Sequence, residues 1–128
     1  MNKIIDNLKI KIFADGANKK DMLELYERSY IKGLTTNPTL MSKAKIENYE
    51  KFALSILREI KEKPISFEVF ADDFNEMERQ ARIINDWQSN VYVKVPITNT
   101  KKESTCSLIK ELSDKGVKVN VTAIMTIE

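Results

Sequence analysis

Five short runs rich in β-branched and apolar residues recur along the chain, at 10–15, 34–37, 65–70, 91–95 and 117–122. They start about 24 to 31 residues apart, close to one βα unit. Between them lie four stretches of helical period. The clearest places Tyr49, Phe52, Ala53, Ile56, Leu57 and Ile60 on one face and Glu50, Lys51, Arg58, Glu59 and Glu62 on the other, with Pro64 ending it. The next begins near Asp73, with Glu76 three residues on in a capping-box-like pair. Its stripe is Phe74, Met77, Ala81 and Ile84. The first helix, over about 19–31, offers Met22, Leu23, Tyr26 and Tyr30, and Gly33 stands where a C-terminal cap belongs. The last, over about 103–115, offers Leu108, Ile109 and Leu112, with Gly116 just past its end. Lys19-Lys20 and Lys101-Lys102 read as solvated helix starts.

The alternation of strand and helix predicts a parallel sheet with right-handed crossovers. No Pro/Gly/Ser-rich linker interrupts it, so residues 1–128 read as a single domain. Five strands suffice for an open doubly wound sheet and are too few to close an eight-stranded barrel. Strand parity separates the two. Helices cover both faces of a doubly wound sheet, so both parities should be apolar; in a barrel one parity faces the helices and the other the interior. Here one parity is apolar: Ile12 and Ala14, Leu34, Phe67 and Val69, Val91, Val93 and Val95, Val117, Val119 and Val121. The other turns polar toward each strand's C-terminal end: Asp15, Thr35 and Asn37, Ser66 and Glu68, Lys94, Asn120 and Thr122, with Phe13, Phe70 and Tyr92 among them. Barrel active sites lie at those ends. The pattern predicts a parallel (β/α) TIM-barrel type fold, incomplete, with about five strands and four helices. An exposed polar face of an open sheet is the plainer alternative.

Composition narrows the chemistry. The chain has 128 residues, 42% apolar and 31% charged, with 21 basic against 19 acidic side chains and a net charge of +2. The basic residues are dispersed, so neither a nucleic-acid nor a membrane patch stands out. One cysteine, Cys106, excludes an intrachain disulfide and a thiolate metal cluster, and in a helical stretch it reads as a small core residue. There is no histidine. That removes histidine-based triads and imidazole zinc sites, and leaves proton transfer to Asp, Glu, Lys and Tyr. No signal peptide is visible near the N-terminus and no apolar run approaches a membrane span, so a reducing, cytoplasmic setting is expected.

Lys94 lies within Val91-Tyr92-Val93-Lys94-Val95-Pro96, on the polar parity yet among apolar neighbours. A desolvated lysine is favoured as the neutral amine, which attacks carbonyls. A structural ion pair with Asp15 or Glu68 is the plainer reading, and the two are compatible. Asn37 precedes Pro38, which pins it in an extended conformation.

These residues together resemble the transaldolase family, which includes a fructose-6-phosphate aldolase branch. The matching pieces are Ile12-Phe13-Ala14-Asp15-Gly16-Ala17, Gly33-Leu34-Thr35-Thr36-Asn37-Pro38-Thr39-Leu40, Ser66-Phe67-Glu68-Val69, Val93-Lys94-Val95-Pro96-Ile97-Thr98 and Val119-Asn120-Val121-Thr122-Ala123. The resemblance covers nearly the whole chain and corresponds to the first five strands of a (β/α)₈ barrel. It implies transfer of a three-carbon dihydroxyacetone unit between sugar phosphates, as in the pentose phosphate pathway, with Lys94 as the Schiff-base residue. Asp15 then matches the acid–base residue at the C4 hydroxyl, and Glu68 the carboxylate acting through water during imine formation and hydrolysis. Asn37, Asn120 and Thr122 match groups that hold the dihydroxyacetone unit and the water, and Thr35 lines the same pocket. No metal or organic cofactor is implied. The aldolase branch carries Gln where this chain has Glu68, which leans toward transaldolase. The family's Asp-Thr is here Asp15-Gly16, so the local support of Asp15 differs.

The family also runs on for three further βα units, which include its phosphate-binding groups. Residue 128 falls just past the fifth strand, so a fragment or natural truncation is expected over a self-assembling half-barrel. An open sheet edge invites self-association. The rival to an enzyme is therefore a catalytically silent barrel portion or interaction module. Two alternative chemistries are fructose-6-phosphate aldolase-type cleavage and a deoxyribose-phosphate-type aldolase, which would take an aldehyde donor.

Overall fold

The computed structural model describes residues 3–127 of the chain. It comprises α1 Lys3–Asp6, β1 Ile12–Asp15, α2 Lys19–Tyr26, β2 Ile31–Thr35, α3 Pro38–Lys43, α4 Tyr49–Leu57, β3 Ile65–Glu68, α5 Phe74–Asn85, β4 Val91–Pro96, α6 Cys106–Asp114 and β5 Val119–Thr122. The strands follow the order β1-β2-β3-β4-β5, and the fold is parallel and of incomplete (β/α) TIM-barrel type, as strand parity predicts. Two compact units divide the chain, Met1–Ile65 and Ser66–Glu128.

In the first unit β1 pairs with β2 in parallel, placing Phe13 beside Gly33, Ala14 beside Leu34 and Asp15 beside Thr35. The Leu34 N–H donates to the Pro64 carbonyl at 2.9 Å. Helix α2 packs on both strands. Met22, Leu34, Ala53, Ile56, Leu57 and Ile60 are buried, which confirms the apolar face read along α4. The helices start on asparagines. Oδ1 of Asn18, Asn37 and Asn48 accepts from the backbone N–H three residues on, at 3.2, 3.0 and 2.8 Å, satisfying one otherwise open donor at each start.

Three expectations in this unit are corrected. Helix α4 ends at Leu57, well before Pro64. Helix α2 ends at Tyr26 rather than near 31, and Gly33 lies inside β2 rather than at a helix cap. Past the end of α2, Nζ of Lys63, distant in sequence, donates to the carbonyls of Tyr26 and Arg28, satisfying acceptors that the helix leaves open. Gly33 is required by a close approach instead. A Cβ there would stand 2.1 Å from Cε1 of Phe13. The short α1 and α3 were not anticipated. The Asn37-Pro38 pair that starts α3 is equally a turn signal, and six residues carry too little periodicity to decide.

In the second unit β4 pairs with β5 in parallel, with Val93 beside Val119, Lys94 beside Asn120, Val95 beside Val121 and Pro96 beside Thr122. The Val69 N–H donates to the Lys94 carbonyl at 3.1 Å, tying β3 to β4. Helix α5 packs on β4, α6 on β5, and the two helices on each other. Phe67, Met77, Ala81, Val93, Val95 and Leu112 are buried. The Phe67 ring meets the Trp87 ring edge to face, centroids 5.5 Å apart and planes at 79°, a favoured aromatic geometry. Asp73 caps α5 as its spacing predicts, Oδ1 accepting from Glu76 N–H at 3.1 Å. Gly116 follows α6 at φ 82°, the left-handed cap position. Lys101-Lys102 is not a helix start. Lys102 has φ 65°, and the helix begins only at Cys106. Cys106 is exposed rather than buried in the core, because Leu108 and Leu112 form the inner stripe of α6 and position 106 falls off it.

Candidate active site

Asp15, Thr35, Glu68 and Thr122 end their strands and Asn37 lies just past β2, whereas Lys94 stands two residues before the end of β4 and Ser66 and Asn120 are the second residues of β3 and β5. The pleat then decides which way each points. On the first unit, Asp15 ends β1 and is exposed, and Thr35 ends β2 beside it. The Gly16 N–H donates to the Thr35 carbonyl at 3.1 Å, so the backbone just past Asp15 stays in the ladder. The Thr35 hydroxyl is buried and has no hydrogen-bond partner among the described residues. Such a group carries a desolvation cost, of order 1–3 kcal/mol, that an incoming donor or acceptor relieves. Asn37 is extended, with φ −152° and ψ 165°, as the following proline dictates. Its Oδ1 is engaged as the α3 cap.

The second unit brings together Glu68, Lys94, Asn120 and Thr122. Glu68 ends β3 and is half-buried. Lys94 is the fourth residue of β4 and only 9% exposed. Asn120 stands beside it in the β4–β5 ladder. Two side-chain hydrogen bonds cross over β4: Asn120 Nδ2 donates to Ser66 Oγ at 3.2 Å, and the Thr122 hydroxyl donates to Glu68 Oε1 at 3.4 Å. Partners on alternate strands are the layering of a (β/α)-barrel interior. Tyr92 and Phe70 flank these groups on the same parity, both partly exposed.

The loops beyond these strands hold residues that the sequence reading missed. In the β3–α5 loop, the Phe70 and Ala71 N–H groups donate to Gln80 Oε1 at 2.8 and 3.0 Å. Asp72 receives the Thr100 N–H on Oδ1 at 2.8 Å and the Thr100 hydroxyl on Oδ2 at 2.7 Å. These two bonds, the backbone one first, hold the Asp72 carboxyl below the usual aspartate range. In the β4–α6 loop, Asn99 is 8% exposed and its Oδ1 accepts from the Lys101 and Glu103 N–H groups at 3.0 and 2.9 Å. Thr105 is fully buried, its hydroxyl donating to the Pro96 carbonyl. The one available signal was the run Thr98-Asn99-Thr100, rich in residues that bond to nearby backbone.

The candidate residues are a primary amine, carboxylates, amides and hydroxyls. Among the described residues no group of three or more Cys, Asp and Glu is placed to hold a metal ion, and no helix is long and apolar enough to cross a membrane. A buried amine with a carboxylate and hydrogen-bonding amides nearby can condense with a carbonyl and pass protons without imidazole.

Comparison with known proteins gives a consistent picture. The family described as Transaldolase/Fructose-6-phosphate aldolase matches residues 12–128. A probable transaldolase of Dehalococcoides mccartyi is 36% identical over 118 residues, 92% of this chain and 53% of its own length. A probable transaldolase of Lactiplantibacillus plantarum is also 36% identical over 118 residues, 92% of this chain and 52% of its own. That of Nitrosopumilus maritimus is 34% identical over 117 residues, 91% and 50%. The chain spans about half the length of these curated relatives.

Proposed function

The chain belongs to the transaldolase/fructose-6-phosphate aldolase family, and from that premise we propose that it carries the Schiff-base half-site for moving a three-carbon dihydroxyacetone unit between sugar phosphates. The observation that carries this reading is Lys94, an amine 9% exposed on the interior parity of β4, on the strand that the Ser66–Asn120 and Glu68–Thr122 bonds cross.

In this reading the Lys94 amine adds to the C2 carbonyl of a ketose phosphate and water leaves, giving an iminium. Asp15 takes the C4 hydroxyl proton. The C3–C4 bond breaks, its electron pair moves into the iminium, and an aldose phosphate departs. The resulting enamine adds to the aldehyde of an acceptor, and water returns to free the lysine. Glu68 moves protons through water in the condensation and hydrolysis steps. Asn37, Asn120 and Thr122 hold the dihydroxyacetone unit and the water, and Thr35 serves as pocket lining, a part supported by its buried hydroxyl, which has no hydrogen-bond partner among the described residues. The role of Asp15 rests on the sequence match at the end of β1. Glu68 favours transfer to an acceptor over simple aldolase-type cleavage. No cofactor enters the scheme, and a reducing, cytoplasmic setting suits it.

Borohydride reduction in the presence of fructose 6-phosphate tests this. The expected result is a reduced sugar adduct that maps to Lys94 and is absent from Lys94→Met. No adduct on the folded chain would overturn the catalytic reading and leave a barrel portion that acts, if at all, through contacts.

A further inference from the structure

Schiff-base chemistry asks two strand ends to keep station. The amine stands on β4 and the proton-carrying carboxylate on β3, and productive geometry tolerates only a fraction of an ångström of drift. The Val69 N–H to Lys94 carbonyl bond ties these strands at the level of the two residues. Beyond that point the chain leaves the sheet, and the loops have to finish the task.

The structure shows how they could. Asp72 lies four residues after Glu68 and turns both carboxylate oxygens onto Thr100, six residues after Lys94, at 2.8 and 2.7 Å. Each side of this contact is itself anchored. On the β3 side, Gln80 of α5 holds the Phe70 and Ala71 N–H groups. On the β4 side, Asn99 closes the turn with its amide, and buried Thr105 donates its hydroxyl to Pro96 and its N–H to the Ile97 carbonyl at 2.9 Å. Hydrogen bonds and short stretches of chain therefore link the segment after Glu68 to the segment after Lys94, and between the two loops the crossing contacts are the Asp72–Thr100 pair and a longer one, Asn99 Nδ2 donating to the Asp72 carbonyl at 3.5 Å. A two-point carboxylate contact to one residue fixes orientation as well as distance.

We propose that Asp72, acting through Thr100, is a positioning residue that holds the Glu68 end of β3 in register with the Lys94 end of β4. It touches no reacting atom. The inference rests on the Schiff-base reading for its purpose, but the mechanical claim stands apart from it.

The experiment uses the full 128-residue chain as wild type, Asp72→Ala, Thr100→Val and Asp72→Asn. Two readouts keep the claims separable. The first is amide hydrogen exchange at Val69, whose N–H donates to Lys94, with the core amide of Ile60 as control. Faster exchange is expected at Val69 in Asp72→Ala, a smaller effect in Thr100→Val, near wild type in Asp72→Asn, and no change at Ile60. Unchanged exchange at Val69 in Asp72→Ala overturns the proposal, whether or not the chain is active. The second is the rate of borohydride trapping against fructose 6-phosphate concentration. Asp72→Ala should lower the saturating rate on the order of tenfold, with half-saturation shifted much less and Asp72→Asn recovering most of the rate. A wild-type trapping rate in Asp72→Ala overturns the positioning role. A wild type that traps nothing while Asp72→Ala still loosens Val69 overturns only the Schiff-base reading. Should Asp72→Ala unfold, Thr100→Val removes one bond of the pair and carries the same two predictions.

Discussion

Replacing Gly33 by alanine tests the closest packing in the first unit. The new Cβ would stand 2.1, 2.6 and 2.9 Å from three ring carbons of Phe13, against the 3.4–4 Å of ordinary contact. The obstacle is one side chain, and it is 45% exposed, so it has solvent to retreat into. Forcing a methyl into a packed site costs about 1–3 kcal/mol, and an obstacle free to swing puts this one in the lower half. The ring must withdraw by more than about 1 Å to reach contact distance. Against that, losing glycine's freedom in the unfolded chain returns about 0.4–1 kcal/mol where the backbone suits alanine, and Gly33 sits in ordinary strand conformation. The net expectation is destabilisation of about 0.5–1.5 kcal/mol. Urea unfolding followed by far-ultraviolet circular dichroism measures it as a lower midpoint at unchanged slope. Phe13→Ala removes the obstacle, so Gly33→Ala in that background should turn neutral or stabilising, with a coupling of at least about 0.5 kcal/mol in the double-mutant cycle. Equal effects of Gly33→Ala in the two backgrounds would refute the steric argument.

Two further outcomes follow from the second unit. A carboxyl held below its ordinary 3.8 adds stability that is fully present above that value and drains as pH falls through the lower folded-state value; Asp72→Asn should therefore flatten part, not all, of the acid unfolding limb, since Glu78 is similarly lowered by Arg82 and Lys115. An acid limb identical to wild type counts against the Thr100 contacts. Cys106, exposed at the start of α6, should react with one equivalent of a water-soluble thiol reagent in the folded state, and a thiol that stays silent until urea is added contradicts its placement.

Much of this architecture was legible because it is periodic. The α4 face, the α5 cap and the alternation of residues 91–93 and 95 in β4 follow from spacing, and burial agrees there: Val91, Val93 and Val95 are inside while Tyr92 is partly exposed. What escaped detection depends on partners distant in sequence. Nothing near Tyr26 announces that Lys63 will donate to the carbonyls past its helix end, and nothing near Gly33 announces the Phe13 ring. The Asp72–Thr100 contact spans two loops with no period to read. The candidate residues themselves were found by type and strand end. Whether they share one productive geometry is not written in the spacing.

The bonds over β4 bear on the choice left open by strand count. Neighbouring strands lie about 4.8 Å apart, so residues two strands away are separated by nearly 10 Å on a flat sheet. Ser66 and Asn120 are short side chains on such a pair, and yet Asn120 Nδ2 reaches Ser66 Oγ at 3.2 Å. They can meet only if β3, β4 and β5 curve toward their polar face, which is the curvature of a barrel interior and not of a sheet with helices on both faces. The same curvature accounts for Lys94. On a flat, solvated face a lysine would carry its amine out to water. On the middle strand of a concave one, beneath two hydrogen-bonded pairs drawn from either side, it is held to 9% exposure. The burial that gives this amine its chemical interest is thus a consequence of barrel-type layering, and substitutions that flatten the layer, such as Ser66→Ala with Asn120→Ala, act on Lys94 without touching it.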